Sequence, residues 1–429
     1  MAVRLAAFSR RARVGPLAGD GRWAVVIVLV GYVLFVTRTW NFPDYRGLPF
    51  VPLWLLFVVV GLAAWRWRTG RLGPIAAAVV VAVTAMLLTD VTSVWTQGFR
   101  DLEIYLKAGK GWLAGTAVYQ ATPLTAVPDD LSTYPFLYPP LTLPLFGALS
   151  LLGLPIAAGL WFGASLTALL AGLRWLGLAP RWWLLVLAWP PVVQGLWVGN
   201  VAVPLFAFFA VAPRIPVALA VLPVFKVYSA LAGLWLLRPE HRRSLLAAVV
   251  GIALAGAITL PLVGIARWSE WLAGLETYQV SQGLVPNLYG FGLARSVPLA
   301  VLVAVAAVVL VLALWTRGRR EQLARLGVAT VTGSPSLFAH GFLVALPAML
   351  RLDTAWFWLA FGLTACAPGL AWFGALAIIV VSWHVPAMRK GRLPDAWHPL
   401  DGADEAWPGA LTASEPSTSV PSTNVPNER

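Results

Sequence analysis

The chain has 429 residues, 59% of them apolar and 11% charged, with a mean hydropathy of +0.77. Soluble domains run at roughly 45–50% apolar and about 25% charged, so an ordinary soluble enzyme is excluded. The net charge of +13 is dispersed in short Lys/Arg clusters between apolar runs; that is a positive-inside pattern and argues against a nucleic-acid binder, which needs a basic stripe.

In chain order, an Arg-rich start (Arg4, Arg10, Arg11, Arg13, Arg22) places residues 1–22 in the cytoplasm. The first apolar run lacks a small-residue cleavage site and reads as a retained helix. A span needs about 20 apolar residues. Runs at 23–38, 50–66 and 73–93 then deliver a first outer loop, 94–138. Five further spans, 139–153, 155–173, 182–197, 199–213 and 215–237, return the chain inside at RPEHRR.

A span at 245–265 leads to a second outer loop, 266–295, and a span at 296–315 returns to TRGRREQLAR. Four short spans precede MRKGR, again inside, making fourteen crossings. Twelve or thirteen stay open, because 182–213 and 322–351 are broken by Pro or Gly. Broken helices are tolerated only where buried or lining a cavity. Residues 393–429 are polar, Pro/Ser-rich and read as a disordered cytoplasmic tail after a transmembrane domain of 23–392. The expected fold is an all-α polytopic membrane protein, and no internal repeat is evident.

The first outer loop opens with GFRDLEIYLKAGKGWLAG, which has helical character. At helical spacing Asp101, Tyr105 and Ala108 share one face, while Glu103 and Lys107 form a surface pair on another. Asp101 is either the N-cap of this helix or a carboxylate available for chemistry. Tyr134, Phe136 and Tyr138 lead into Pro139-Pro140, which forces an extended approach to the next span. These aromatics suit either a membrane interface or a substrate contact.

Lys226 lies in the apolar run LAVLPVFKVYSALAGLW. A lysine at such depth marks an anion site unless its ammonium snorkels to an interface. His340, just after Ser334-Pro335, is the histidine expected near the outer face; His241, His384 and His398 fall on the inner side. It is either a hydrogen-bonded structural residue or part of a site. In the second loop Trp268, Trp271 and Tyr278 fit an amphipathic surface helix.

Asn287 and Arg295 flank a Gly-rich turn, placed for sugar hydroxyls, phosphate or, for Arg295, lipid headgroups. Asp90 is a rival carboxylate or a partner of Thr89 and Thr92. Cys366 is the single cysteine, so neither a disulfide framework nor a Cys-based metal site is available. Soluble-enzyme signatures such as a Walker loop, HExxH or a nucleophile elbow are missing. The Gly199-Asn200 pair has hairpin character but here joins helices.

Taken in order, these elements resemble the polyprenyl-phosphate-mannose-dependent α-mannosyltransferases of glycosyltransferase family 87, which have the GT-C membrane fold. The resemblance covers roughly residues 95–350. It rests on Asp101–Tyr105, Gly115–Tyr119, Tyr138–Pro140, Lys226 before RPEHRR, Asn287 with Gly292–Arg295, and Ser334-Pro335 with His340. The family's usual Gly-Gln-x-Asn appears here as Gly199-Asn200-Val201-Ala202, without its amides in their usual places.

The resemblance implies a GT-C-type bundle of about 12–14 helices with interfacial helices in its two outer loops. It implies an inverting transfer at the outer face of the plasma membrane; no metal-ligand cluster is visible in the sequence, so a metal-independent reaction without cofactor is expected. The donor would be polyprenyl-phosphate-mannose and the acceptor an envelope glycolipid or lipoglycan. Asp101 would be the base and His340 would orient it or bind the donor phosphate; Lys226 or Arg295 would stabilise the leaving phosphate. Tyr105, Tyr138 and Asn287 would contact substrate. Alternatives are a decaprenyl-phospho-arabinose-dependent arabinofuranosyltransferase and a non-catalytic transporter or scaffold.

Overall fold

A computed structural model describes residues 61–63, 65, 98–126, 134–178, 180–285, 298–334, 337–365 and 370–389. The first and third expected spans, all of the second but residues 61–63 and 65, Asp90, Asn287, Arg295 and the tail lie outside the described residues. Among the described residues the regular elements are helical, apart from one antiparallel bridge between Leu352 and Arg389.

The principal helices are α1 (Arg100–Leu113), α2 (Leu143–Ser150), α3 (Leu154–Trp175), α4 (Pro190–Trp197) and α5 (Ala202–Val211). They continue with α6 (Arg242–Val263), α7 (Ile265–Leu284), α8 (Leu299–Leu314), α9 (Arg319–Thr332), α10 (Thr354–Ala365) and α11 (Leu370–Ser382). Among the described residues two helical stretches, Leu154–Trp175 and Pro239–Val263, are long and apolar enough to cross a membrane. Other expected spans take the form of shorter apolar helices, such as Ala202–Val211 and Ala371–Ser382.

Proline accounts for much of that difference, since it removes a donor and clashes with the preceding turn. The expected span 215–237 shows it best. Helical turns Pro216–Ala220 and Val221–Phe225 end at Lys226, whose backbone is extended (φ −127°, ψ 98°), and turns resume at Val227–Ser229. Hydropathy reads composition and is blind to such a break.

The central core joins the end of α3 with α4, α5, α9, α10, α11 and the turn segment Ala339–Ala345, around Trp189, Phe206, Phe342, Phe361 and Trp372. α6 is different. Leu246, Val249, Leu254, Ile258 and Leu262 along it are each more than half exposed. Such continuous exposed apolar surface fits lipid rather than water.

At its start α6 adjoins a basic cluster. Arg238 donates to Gln322 Oε1 (3.0 Å) and to the Arg317 carbonyl (3.3 Å), and Trp235 donates to the Arg319 carbonyl (2.9 Å). Arg389 lies 3.5 Å from Glu321. Three basic segments expected on one side of a membrane therefore meet in space. At its other end Val263 packs into the aromatic cluster around Tyr105. The 22 residues of α6 rise by about 33 Å at 1.5 Å per residue, close to the roughly 30 Å of a hydrocarbon core.

α1 and α2 touch backbone to backbone. A Cβ on Gly109 would overlap the Phe146 carbonyl and Gly147 nitrogen, and one on Gly147 would reach 2.8 Å from the Trp112 ring. Gly109→Ala is expected to destabilise by about 1–3 kcal/mol, the usual cost of overpacking. Thermal unfolding of the detergent-solubilised protein checks it, and an unchanged midpoint would show that the helices can part.

Candidate active site

α4 is the element on which the site is assembled. Its C-terminus closes in a Schellman turn: Gly199 (φ +72°) donates to Leu196 O at 3.3 Å and Asn200 N to Gly195 O at 2.9 Å. Gly199 holds the left-handed conformation that this turn requires, and a side chain there would press on Leu102. Trp161 Nε1 fixes the Gly199 carbonyl at 2.8 Å. The Gly-Asn pair joins α4 to α5, as the sequence leads one to expect.

The start of α1 docks on this helix end. Phe99 N donates to Trp197 O (2.8 Å), and Asp101 N and Leu102 N both donate to Val198 O (2.9 and 3.3 Å). Backbone carbonyls thus satisfy donors that a capping side chain would otherwise serve. No side chain caps α1, and its N-cap position is Phe99, held in the left-handed region at φ 55°. The capping alternative for Asp101 therefore falls.

The carboxylate of Asp101 is 8% exposed and committed elsewhere. Arg100 Nε donates to Oδ1 at 2.8 Å, with Nη2 at 2.7 Å from the same oxygen. Asn200 Nδ2 donates to Oδ2 at 2.5 Å. Asn200 Oδ1 accepts from Ala202 N at 2.8 Å, which sets the amide orientation. Burial works against the Arg100 charge, but Asp101 more than offsets it and holds the guanidinium above its ordinary range.

One turn along α1, Tyr105 is buried and its hydroxyl meets that of Tyr138 at 2.7 Å. The Tyr138 hydroxyl also hydrogen-bonds Asn200, and the Tyr105 hydroxyl meets the Val201 backbone. Burial, then the neighbouring phenol for Tyr105 and Asp101 for Tyr138, push both well above the ordinary range, so both stay neutral. Tyr119 donates to Tyr138 O at 2.9 Å, while Phe136 packs edge-on to Tyr105 and Phe146 edge-on to Tyr138. A chain of hydrogen bonds therefore runs from Arg100 through Asp101 and Asn200 to Tyr138 and Tyr105.

His340 sits on the turn segment Ala339–Ala345, 3% exposed, its ring stacked on Phe338 with centroids 5.6 Å apart. Its Cβ lies against Gly195, where an added Cβ would come within 3.1 Å. Both Lys226 and Arg100 act on it electrostatically. Lys226 is half-buried at its helix break and makes no ion pair among the described residues. Phe225 beside it packs on Phe146, tying the break to the tyrosine cluster.

The second loop contributes a cover. α7 forms over Ile265–Leu284, and its aromatic side faces the first loop rather than the surroundings. Trp271 Nε1 donates to Leu137 O (3.0 Å), Tyr278 packs on Leu124, Tyr134 and Leu137, and Leu124 N donates to Ser281 Oγ (2.9 Å).

Of the expected site residues, Asp101, Tyr105 and Tyr138 come together; His340 feels both Arg100, which holds Asp101, and Lys226. Asn200 and Arg100 were not anticipated there. A Gly-Asn pair closing a short apolar helix was the available signal for Asn200. Among the described residues no group of three or more His, Cys, Asp or Glu is placed to hold a metal ion.

Residues 136–347 match the glycosyltransferase family 87 model. The match contains Tyr138, Asn200, Lys226 and His340, while Asp101 and Tyr105 lie before it. It supports a transferase acting on sugars at a membrane, in keeping with the apolar helices. No curated protein and no solved structure matches the chain.

Glu103 and Lys107 stand outside this candidate site, 3.7 Å apart on the solvated side of α1. Exposed i,i+4 pairs contribute about 0.3–0.5 kcal/mol, so Glu103→Gln should leave transfer unchanged and shift thermal unfolding barely at all. A large loss of transfer would place the site on the wrong face of α1.

Proposed function

We propose that the protein is a multi-pass plasma-membrane mannosyltransferase that moves mannose from polyprenyl-phosphate-mannose to an envelope glycolipid or lipoglycan at the extracytoplasmic face. The observation that carries this reading is the buried Asp101 carboxylate, held by Arg100 and Asn200, with Arg100 and Lys226 both acting electrostatically on His340.

In the proposed inverting displacement the acceptor hydroxyl oxygen attacks the anomeric carbon and gives its proton to Asp101. The bond from that carbon to the phosphate oxygen breaks, and its electron pair leaves with the lipid phosphate. A base must lie within hydrogen-bond reach of the hydroxyl it deprotonates. Cations must stand where negative charge builds on the leaving group; Lys226, with His340 as a donor to the phosphate, takes that role. The reading needs no metal. Tyr105 and Tyr138 line the sugar side, and α7 helps to exclude water that would hydrolyse the donor. Asn287 and Arg295 are assigned to the acceptor and phosphate respectively on their sequence positions.

Membranes carrying the protein, supplied with labelled polyprenyl-phosphate-mannose and extracted envelope glycolipids, test it. Labelled glycolipid above the level of control membranes is the expected result. Transfer only from decaprenyl-phospho-arabinose would replace mannose by arabinofuranose. Transfer from neither donor would overturn the enzyme reading in favour of a transporter or scaffold.

A further inference from the structure

We propose that Asn200 is a positioning residue that aims the Asp101 carboxylate, doing so from the end of α4 by donating its amide N–H to Oδ2. The inference rests on the transferase reading above and adds to it a residue and a division of labour within the base.

Asn200 is 4% exposed and both ends of its amide are used. Oδ1 accepts the first free N–H of α5, from Ala202, and Nδ2 is thereby turned toward Asp101, 99 residues away in sequence. Each carboxylate oxygen has two lone pairs. Arg100 occupies Oδ1 and Asn200 occupies one position on Oδ2. The remaining lone pair of Oδ2 then has a fixed direction, set by an amide that cannot rotate without abandoning Ala202.

The other groups facing Asp101 cannot substitute. Arg100 is its neighbour on the same helix and reaches only Oδ1; Tyr105 and Tyr138 are engaged with one another. Lys226 acts on His340, which in turn feels Arg100, and neither makes a hydrogen bond to Asp101 among the described residues.

Asn200→Asp separates positioning from a merely structural role. It keeps the oxygen that accepts from Ala202, since Asp caps a helix as well as Asn does, but sets a second carboxylate against Oδ2. Two carboxylates at such range cannot both ionise comfortably and come to share one proton as pH falls. That proton restores an O–H donor where the amide stood.

The test is kcat and donor KM for wild type, Asn200→Asp and Asn200→Ala in membranes between pH 5.5 and 8.5, each variant taken as a ratio to wild type at the same pH. His340 and other groups titrate in both proteins, so the ratio isolates position 200. Misplacing a reacting group by about 1 Å can cost about 100-fold. The expected result is a deficit of that order for Asn200→Asp at pH 8, shrinking several-fold by pH 5.5, with donor KM little changed. Asn200→Ala should show a deficit that does not recover on acidification.

An Asn200→Asp ratio near one at every pH, or a deficit independent of pH, would overturn the inference and leave the transferase reading standing. Transfer by wild type that survives in Asp101→Asn would remove the base that Asn200 is held to aim. Lack of transfer by wild type itself would overturn both.

Discussion

Asp101→Asn is expected to lower kcat by about 10²- to 10⁴-fold, the range a positioned general base contributes, with donor KM little altered. Asparagine keeps the shape of the side chain and can still accept from Arg100 through its oxygen, while its amide nitrogen faces the Asn200 donor and forfeits that one hydrogen bond. What it lacks is a lone pair basic enough to take the acceptor proton. Asp101→Ala should lose at least as much rate and also stability, because it removes the carboxylate from a guanidinium that is mostly buried. Single-turnover transfer measured beside thermal unfolding separates the two losses. Near-wild-type transfer by a well-folded Asp101→Asn protein would sink the assignment.

The second large effect is expected at Lys226. Its backbone is extended between two short helical turns, which ends the apolar run at a cation and points to a cavity-lining break. Lys226→Met keeps length and apolar volume and removes only the charge. If the ammonium meets charge developing on the leaving phosphate, kcat falls by about 10²- to 10³-fold, the scale seen when one preorganised donor is deleted. If it holds the donor equally well in ground and transition states, KM rises and kcat stays. Lys226→Arg should recover part of either loss. Unchanged kcat and KM in Lys226→Met would assign this lysine to snorkelling.

How much of this was legible beforehand differs from residue to residue. Helical spacing alone puts Asp101 and Tyr105 on one face and pairs Glu103 with Lys107 on another, because α1 is a regular helix with one buried and one solvated side, but it left the capping alternative for Asp101 open. The Tyr-Pro-Pro segment correctly placed Tyr138 at the start of a helix, since proline restricts the residue before it. Helices α3, α6 and α8 lie close to the expected spans at 155–173, 245–265 and 296–315.

Asn200 could not be read in the same way. Its importance comes from the end of one helix meeting the start of another across 99 residues, and spacing arguments reach only one or two turns. The break at Lys226 was hidden because the run around it is apolar throughout, although Pro223 within it was a visible warning. For α7, periodicity identified an aromatic side but not what that side would cover.

The shortness of α4 has a consequence of its own. Gly195 bears against His340 and Val198 receives the start of α1, so one rod gauges the gap between the proposed phosphate donor and the proposed base. Three residues along a helix are about 4.5 Å, and each residue turns the chain by about 100°. Adding or deleting a single residue there would swing one half of the chemistry away from the other while leaving each half internally intact. Reach between the two is thus graduated in helical steps.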